Sequence, residues 1–282
     1  MAIQKIKQLV PLPIKRLVYA SRELSARIQL EFETLMAQVN PTPIIILGNQ
    51  KSGTSAIAVL IGKMTGLSFH IDMMKANEQN IYEAVKKGQV SFAEFIKLNK
   101  LEFSKTIVKE PNLSFFYDEL FEAFPDAKFV FVVRDPRCNI RSILDRFKIS
   151  GNLEQMTHED YQKLVRSWPS VFDGSWMGFQ GENYIEMLAE RWNYMVDSYW
   201  KNQENILLVK YEDFLQNKSG EIGRIVRALG LMPKYDISQK VDIQYQPSGQ
   251  NKNMNLEKFF GLKNLDRIEK ICGERMKLFD YQ

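Results

Sequence analysis

The 282-residue sequence has few of the features that mark secreted or membrane-spanning proteins. Its two cysteines, Cys138 and Cys272, are too few for the disulfide framework of a small secreted protein and fit a reducing compartment. No apolar run approaches the roughly 18 residues that a membrane-spanning helix needs, and the first residues lack the apolar core of a signal peptide. We therefore expect a cytoplasmic protein.

The sequence also lacks a large excess of one charge. Lys and Arg together number 38 and Asp and Glu number 34, which gives a net charge of +4. Because the basic residues are spread along the chain, apart from one cluster, nucleic acid is not an expected partner. The shares of hydrophobic residues, 45%, and charged residues, 26%, exclude a disordered, collagen-like or coiled-coil protein.

Residues 1–40 combine basic residues with apolar residues at helical spacing. After Pro13, the apolar residues Ile14, Leu17 and Val18 begin a pattern that predicts an amphipathic helix. Such a helix either packs on the following domain with its basic face in water, or contacts a membrane surface or a partner. The sequence leaves both interpretations open.

Residues 41–282 alternate short β-branched runs with longer amphipathic segments. This alternation predicts a single α/β domain with a central, mostly parallel sheet flanked by helices. Continuous apolar runs predict four buried strands, at Ile44–Gly48, Thr106–Val108, Phe129–Val133 and Ile206–Val209. An aromatic and methionine stripe from Tyr184 to Tyr199 predicts a helix whose apolar face lies in the core.

An irregular segment at about 150–182 interrupts this alternation. It is rich in glycine and contains the aromatic residues Trp168, Phe172, Trp176 and Phe179. Long irregular inserts in compact domains are often functional lids. We therefore predict a lid with an aromatic-lined mouth.

The first predicted strand runs directly into Lys51-Ser52-Gly53-Thr54-Ser55 and then into a helix. A strand, a loop and a helix start form a cradle for phosphate, because the first backbone N–H groups of a helix have no partner within it. The hydroxyls of Ser52, Thr54 and Ser55 and the charge of Lys51 add further donors. The lysine lies two positions before Gly53, whereas in the phosphate loop of kinases and ATPases it follows the second glycine. The loop therefore favours a related anion site over an ordinary kinase site.

A second group of donors follows the predicted strand that ends at Val133. From Arg134 to Lys148, five basic residues stand against two acidic ones. Arg134 lies at the carboxyl end of the strand, where α/β proteins bind their ligands. Ser142 falls two turns into the next helix if Pro136 takes the first helical position. This cluster predicts a site for a second anionic group.

Together, the two elements resemble those of the sulfotransferases that use 3′-phosphoadenosine 5′-phosphosulfate (PAPS). Three further segments are similar to segments of that family: Ile107 to Asn112, Tyr211 to Phe214, and Ile271 to Tyr281. The resemblance covers about Pro43 to Tyr281. It implies a P-loop-like fold, PAPS as co-substrate and no metal.

The resemblance also assigns roles to residues. It implies that the loop from Lys51 to Ser55 holds the 5′-phosphosulfate and that Arg134 and Ser142 hold the 3′-phosphate. Tyr211 is expected beside the adenine. Lys252 is expected in a loop that closes over the 3′-phosphate.

Sulfuryl transfer resembles phosphoryl transfer, in which the protein positions the reactants in line and stabilises charge on the leaving oxygen. Lys51 is the predicted source of that charge stabilisation. A base must also take the proton of the acceptor. The sequence offers Glu110, Glu78 and His70 for this role, in that order.

The aromatic residues of the insert favour a small apolar or lipid-like hydroxyl compound as acceptor, with a glycan as the second choice. Two other functions remain open from the sequence. One is a phosphate-loop kinase with unusual loop spacing. The other is a nucleotide-binding protein without catalytic activity.

Overall fold

The computed structural model of the protein describes residues 24, 25, 27–246 and 249–282. Residues 1–23, which include the start of the predicted N-terminal amphipathic helix, lie outside the described residues. Residues 24, 25 and 27–36 are helical and form α1. The apolar side chains of α1 face solvent, and Phe32 and Leu35 are 62% and 72% exposed.

In the described part of the chain, five parallel strands form one sheet with the order β2-β3-β1-β4-β5. The strands are β1 (Ile44–Gly48), β2 (Phe69–Ile71), β3 (Ile107–Lys109), β4 (Lys128–Val133) and β5 (Ile206–Lys210). The four predicted strands are confirmed with small differences at their ends. The edge strand β2 was not predicted, because its three residues are partly exposed and form no buried apolar run.

Side chains alternate between the two faces of the sheet, and each face carries its own core. On one face, Ile45, Val108 and Phe131 pack with Leu188 and Trp192. On the other face, Ile44, Ile46 and Val130 pack with Ile57 and Ile222. Because both faces are covered, the inner strands consist almost entirely of apolar residues.

Helices lie on both faces of the sheet, which confirms the predicted α/β class. They are α2 (Thr54–Thr65), α3 (Met74–Glu78), α4 (Ile81–Lys86), α5 (Phe92–Leu98), α6 (Lys100–Phe103), α7 (Tyr117–Ala123), α8 (Pro136–Arg146), α9 (His158–Gln162), α10 (Pro169–Phe172), α11 (Tyr184–Lys201), α12 (Tyr211–Gln216), α13 (Lys218–Ala228) and α14 (Leu256–Lys277). None of the helices in the described ranges is long and apolar enough to cross a membrane.

The predicted aromatic stripe forms the buried face of α11. Trp192 is 2% exposed, and its indole N–H donates to the carbonyl of Arg134 at 2.9 Å. In the insert, Phe172 and Phe179 are only 3% and 9% exposed, because they pack into the domain core. The insert is therefore attached to the domain by its aromatic side chains.

Candidate functional site

The loop between β1 and α2 has the conformation of an anion cradle. Gly53 precedes α2 with a φ of 92°, and no side chain caps the start of this helix. The first N–H groups of α2 therefore have no intrahelical or capping side-chain partner and carry partial positive charge. Lys51 also has a left-handed backbone, with a φ of 67°. Such strained residues are concentrated at functional sites.

A buried network of amide side chains holds this loop in place. Asn139 donates to the carbonyl of Gln50 at 2.8 Å and to the hydroxyl of Ser52 at 3.0 Å. The guanidinium of Arg191, on α11, donates to the side-chain oxygens of Asn49 at 3.2 Å and Gln50 at 2.8 Å. Burial lowers the pKa of Arg191 to about 9. The loop is thus fixed on its buried side by the side chains of Asn139 and Arg191.

Arg134 and Tyr211 form one wall of the site beside this loop. Arg134 follows β4 and donates to the carbonyl of Lys51 at 2.8 Å. Its guanidinium lies 4.7 Å from the ring centre of Tyr211, a cation–π contact. The same ring packs on Gly53, where an added Cβ would lie 2.4 Å from two ring carbons. Glycine is therefore required at position 53 both for its backbone conformation and for the contact with Tyr211.

A cavity of about 370 Å³ opens between these groups, and we call it the larger cavity. The predicted residues that line it are Lys51, Gly53, Thr54, Ser55, Arg134, Ser142, Tyr211 and Lys252. The structure thus joins the phosphate loop and the Arg134 cluster in a single site. Ser52 is the exception, because it is 1% exposed and its hydroxyl accepts from Asn139.

A second cavity of about 220 Å³ lies next to the first, and we call it the smaller cavity. Lys51 and Gln246 line both cavities. Gln246 donates to the hydroxyl of Ser55 at 2.9 Å and lies 3.5 Å from a carboxylate oxygen of Asp72. Lys51 therefore stands at the junction of the two cavities.

The position of Lys51 changes its acidity. Burial is the main cause that lowers the pKa of Lys51 to about 8. The positive charges of Arg146, Arg134 and Lys109 lower it further, and the carboxylate of Asp145 acts in the opposite direction. A site that lowers the pKa of a lysine through neighbouring cations is a site that favours a bound anion.

In the smaller cavity, Asp72 and Lys109 form an ion pair with an N–O distance of 2.5 Å. The Lys109 side chain is 3% exposed, whereas that of Asp72 is 34% exposed. Asp72 follows β2 with a φ of 62°. The carboxylate is therefore held by a buried partner and is accessible to a ligand.

Comparisons with known proteins decide the family. A sequence model described as the sulfotransferase family matches residues 68–234, more than half of the chain. The chain belongs to this family. The matched region of this chain contains Arg134 and Ser142, whereas the loop with Lys51 precedes that region.

Two solved sulfotransferase structures are similar to the whole fold. Sulfotransferase STF9 from Mycobacterium avium has a TM-score of 0.52 and 12% identity, with 92% of this chain and 81% of the other covered. Mouse sulfotransferase SULT7A1, complexed with PAP, has a TM-score of 0.50 and 13% identity, with 86% of each chain covered. At this identity the likeness shows the fold. Among curated proteins, no sequence matches the chain.

The three residues that the sequence offered as the base of this sulfotransferase lie in different environments. Glu110 borders the smaller cavity but is 1% exposed. Its carboxylate accepts from the amides of Met73 at 2.9 Å and Asn112 at 3.1 Å, and from the Asn77 side chain at 2.9 Å. Burial raises the pKa of Glu110. Its oxygens are thus used to join β3 to the chain around Met73.

Glu78 and His70 are placed away from the junction. Neither residue lines either cavity. The Glu78 side chain is 57% exposed and lies 3.7 Å from the guanidinium of Arg166. His70 lies on the edge strand β2.

Sequence reasoning missed several residues that shape the site. No sequence pattern pointed to Asp72, because it is an isolated acidic residue after a strand that was not predicted. Asp145 accepts from the backbone and side-chain amides of Asn251, at 2.8 and 2.9 Å, and so ties the loop that carries Lys252 to α8. Arg166 lines the smaller cavity from the insert. Such placements depend on contacts between segments that are distant in sequence.

Proposed function

We propose that this sulfotransferase moves the sulfuryl group from PAPS to a hydroxyl of an acceptor molecule. The observation that carries the proposal is the position of Lys51 at the junction of two cavities. The larger cavity has two separate sets of anion donors, as a nucleotide with two anionic groups requires. The smaller cavity gives an acceptor access to the same lysine.

The larger cavity suits PAPS by its chemistry. The uncapped start of α2 and Lys51 would hold the 5′-phosphosulfate. Arg134, Ser142 and Lys252 would hold the 3′-phosphate, and the fork of an arginine suits a terminal phosphate. Tyr211 would lie beside the adenine. The PAP-bound mouse structure, which has a similar fold, supports this assignment.

The reaction breaks the bond between sulfur and the bridging phosphate oxygen and forms a bond between sulfur and the acceptor oxygen. Negative charge then develops on the phosphate oxygen that leaves. With its pKa at about 8, Lys51 is charged at neutral pH and can stabilise this oxygen. The two-cavity arrangement fits an in-line transfer past Lys51.

The acceptor hydroxyl must lose its proton, and we assign this step to Asp72. Its carboxylate is accessible in the smaller cavity, and Lys109 holds it in place at 2.5 Å. A general base must reach the proton it removes, which favours Asp72 over Glu110 with its internal hydrogen bonds. Glu78 and His70 lie outside both cavities and are less suitable.

Ligand binding and transfer can be tested together. We expect adenosine 3′,5′-bisphosphate to raise the melting temperature of the protein, whereas ATP with magnesium and adenosine monophosphate have smaller effects. At a ligand concentration of about 100 times the dissociation constant, binding adds about 2.7 kcal/mol to the free energy of unfolding. With PAPS and a mixture of hydroxyl compounds, mass spectrometry should detect an acceptor that gains one sulfuryl group. Stabilisation by ATP and magnesium alone would overturn the proposal.

A further inference from the structure

The smaller cavity contains more cationic than anionic side chains. Its cationic residues are Lys51, Lys109, Arg146 and Arg166, and its carboxylates are Asp72 and Glu110. We propose that the acceptor carries an anionic group, such as a carboxylate, sulfate or phosphate, near the hydroxyl that is sulfated, and that Arg146 and Arg166 bind this group. The inference rests on the proposed function and names the substrate class of the same site.

Two of the four cations already have a role. Lys51 stands at the junction with the larger cavity, where the transfer takes place. Lys109 is 3% exposed and is neutralised by Asp72 at 2.5 Å. The charge that remains for an acceptor is therefore that of Arg146 and Arg166.

Arg146 is exposed at the end of α8, and no carboxylate of the described residues lies within 4 Å of its guanidinium. Of the neighbouring charges, that of Arg146 has the largest effect on the pKa of Lys51, which it lowers. Arg146 therefore acts electrostatically on the junction of the two cavities. An anion between these two residues would relieve their repulsion.

Arg166 enters the cavity from the insert. It has a left-handed backbone with a φ of 57°, as do Lys51 and Asp72 at the same cavity with values of 67° and 62°. Its ion pair with Glu78, at 3.7 Å, joins side chains that are 50% and 57% exposed. Exposed pairs of this kind contribute little free energy, so Arg166 can exchange this partner for a ligand.

The expected apolar mouth of the insert is not what borders this cavity. Phe172 and Phe179 are buried in the core, and the indole of Trp176 donates to the carbonyl of Ser170 at 2.9 Å. Of the four aromatic residues, Trp168 is the one that lines the smaller cavity. Beside the charged residues, the lining includes the polar residues Gln50, Asn77 and Ser167 as well as the apolar residues Met74, Pro111 and Val171. This wall suits a polar, anionic acceptor better than a lipid-like one.

Matched pairs of hydroxyl compounds test the inference. The protein is saturated with adenosine 3′,5′-bisphosphate, and calorimetry then measures the affinity for 4-nitrophenyl glucuronide and 4-nitrophenyl glucoside. A second pair is 4-hydroxyphenylacetate and its amide. We expect the anionic member of at least one pair to bind about tenfold more tightly or better, as a charged hydrogen bond gives. Added salt should reduce this ratio.

Charge-removing variants locate the effect. Arg146→Gln and Arg166→Gln should each move the ratio towards one, and each should change the affinity for the bisphosphate by a smaller factor than it changes this ratio. Arg275→Gln is the control, because Arg275 pairs with Asp197 and lines neither cavity. The inference is overturned if neither pair shows a preference for the anion, or if the preference survives in both variants. If the unaltered protein does not bind adenosine 3′,5′-bisphosphate, the result would instead contradict the proposed function.

Discussion

Lys51 combines positive charge, partial burial and a left-handed backbone at the point where the two cavities meet. We predict that Lys51→Ala lowers kcat by about 10²- to 10³-fold, the range for losing one donor to a developing oxyanion. The free energy of unfolding at pH 7 should stay the same or rise, because a desolvated charge is removed. Lys201→Ala, at an exposed site, is the control and should keep full activity. Normal turnover by Lys51→Ala would contradict the assigned role.

The lowered pKa of Lys51 also predicts a pH dependence. The charged lysine binds the anionic co-substrate, so kcat/KM for PAPS should fall as the pH rises through about 8. Lys51→Arg should shift this fall to higher pH, because arginine stays charged. The free energy of unfolding should change with pH in the opposite direction to kcat/KM, since a lysine with a lowered pKa destabilises the fold while it is protonated. The contribution of Lys51 to stability should therefore improve between pH 8 and about 10.5. A profile that is flat through pH 8 in both measurements would be inconsistent with these expectations.

Asp72 is the residue for which a substitution best separates binding from chemistry. Asp72→Asn keeps the shape of the side chain but removes the base. We predict a fall in kcat of about 10²- to 10⁴-fold with little change in the affinity for adenosine 3′,5′-bisphosphate. The matched variant Glu110→Gln should mainly reduce thermal stability, because Glu110 accepts hydrogen bonds within the fold. The assignment fails if Glu110→Gln loses catalysis at normal stability while Asp72→Asn is active.

At the scale of elements, the junction of β1 and α2 depends on Gly53. A Cβ at this position would meet the ring of Tyr211 at 2.4 Å, and the φ of 92° adds backbone strain. We predict that Gly53→Ala weakens bisphosphate binding at least tenfold by displacing the ring or the start of α2. Gly178→Ala is a matched control, because Gly178 has a φ of 83° with no atom near its Cβ position. Gly178→Ala should add backbone strain but no contact between the new Cβ and a side chain. An equal loss of bisphosphate binding in both variants would refute the role of the Tyr211 contact.

The support of this loop by α11 is a second prediction at the same scale. Arg191→Leu leaves the buried side-chain oxygen of Gln50 without a donor, whereas those of Asn49 and Asn112 each keep a second donor from Gln50. An unsatisfied buried group costs about 1–3 kcal/mol, so chemical denaturation should show a loss of at least that size. Arg275→Leu removes an exposed pair and should cost about 1 kcal/mol or less. Similar losses in the two variants would mean that Arg191 does not support the loop.

At the scale of the whole molecule, the sequence is informative where the fold is regular. The inner strands are predictable because burial on both faces requires continuous apolar runs, as in Ile44–Gly48. The same reasoning fails for β2, a short edge strand. The phosphate loop and Arg134 are predictable because both follow buried strands whose carboxyl ends meet at one edge of the sheet.

The acceptor side of the site is less predictable, since it depends on contacts between distant segments. Asp72 follows the missed edge strand, and Arg166 comes from the irregular insert. The aromatic residues of that insert suggested an apolar mouth, but Phe172 and Phe179 pack into the core. Glu110 was a reasonable choice of base from its place after β3, and its internal hydrogen bonds are visible only in three dimensions.

The most direct test of the account measures whether Arg134 and the 3′-phosphate of the nucleotide interact. Calorimetry gives the affinities of the unaltered protein and of Arg134→Ala for adenosine 3′,5′-bisphosphate and for adenosine 5′-monophosphate. We predict that the unaltered protein prefers the bisphosphate and that Arg134→Ala loses about 2 to 4 kcal/mol of this preference, as expected when one partner of a charged pair is removed. An Arg134→Ala variant that keeps the full preference for the bisphosphate would contradict the central claim.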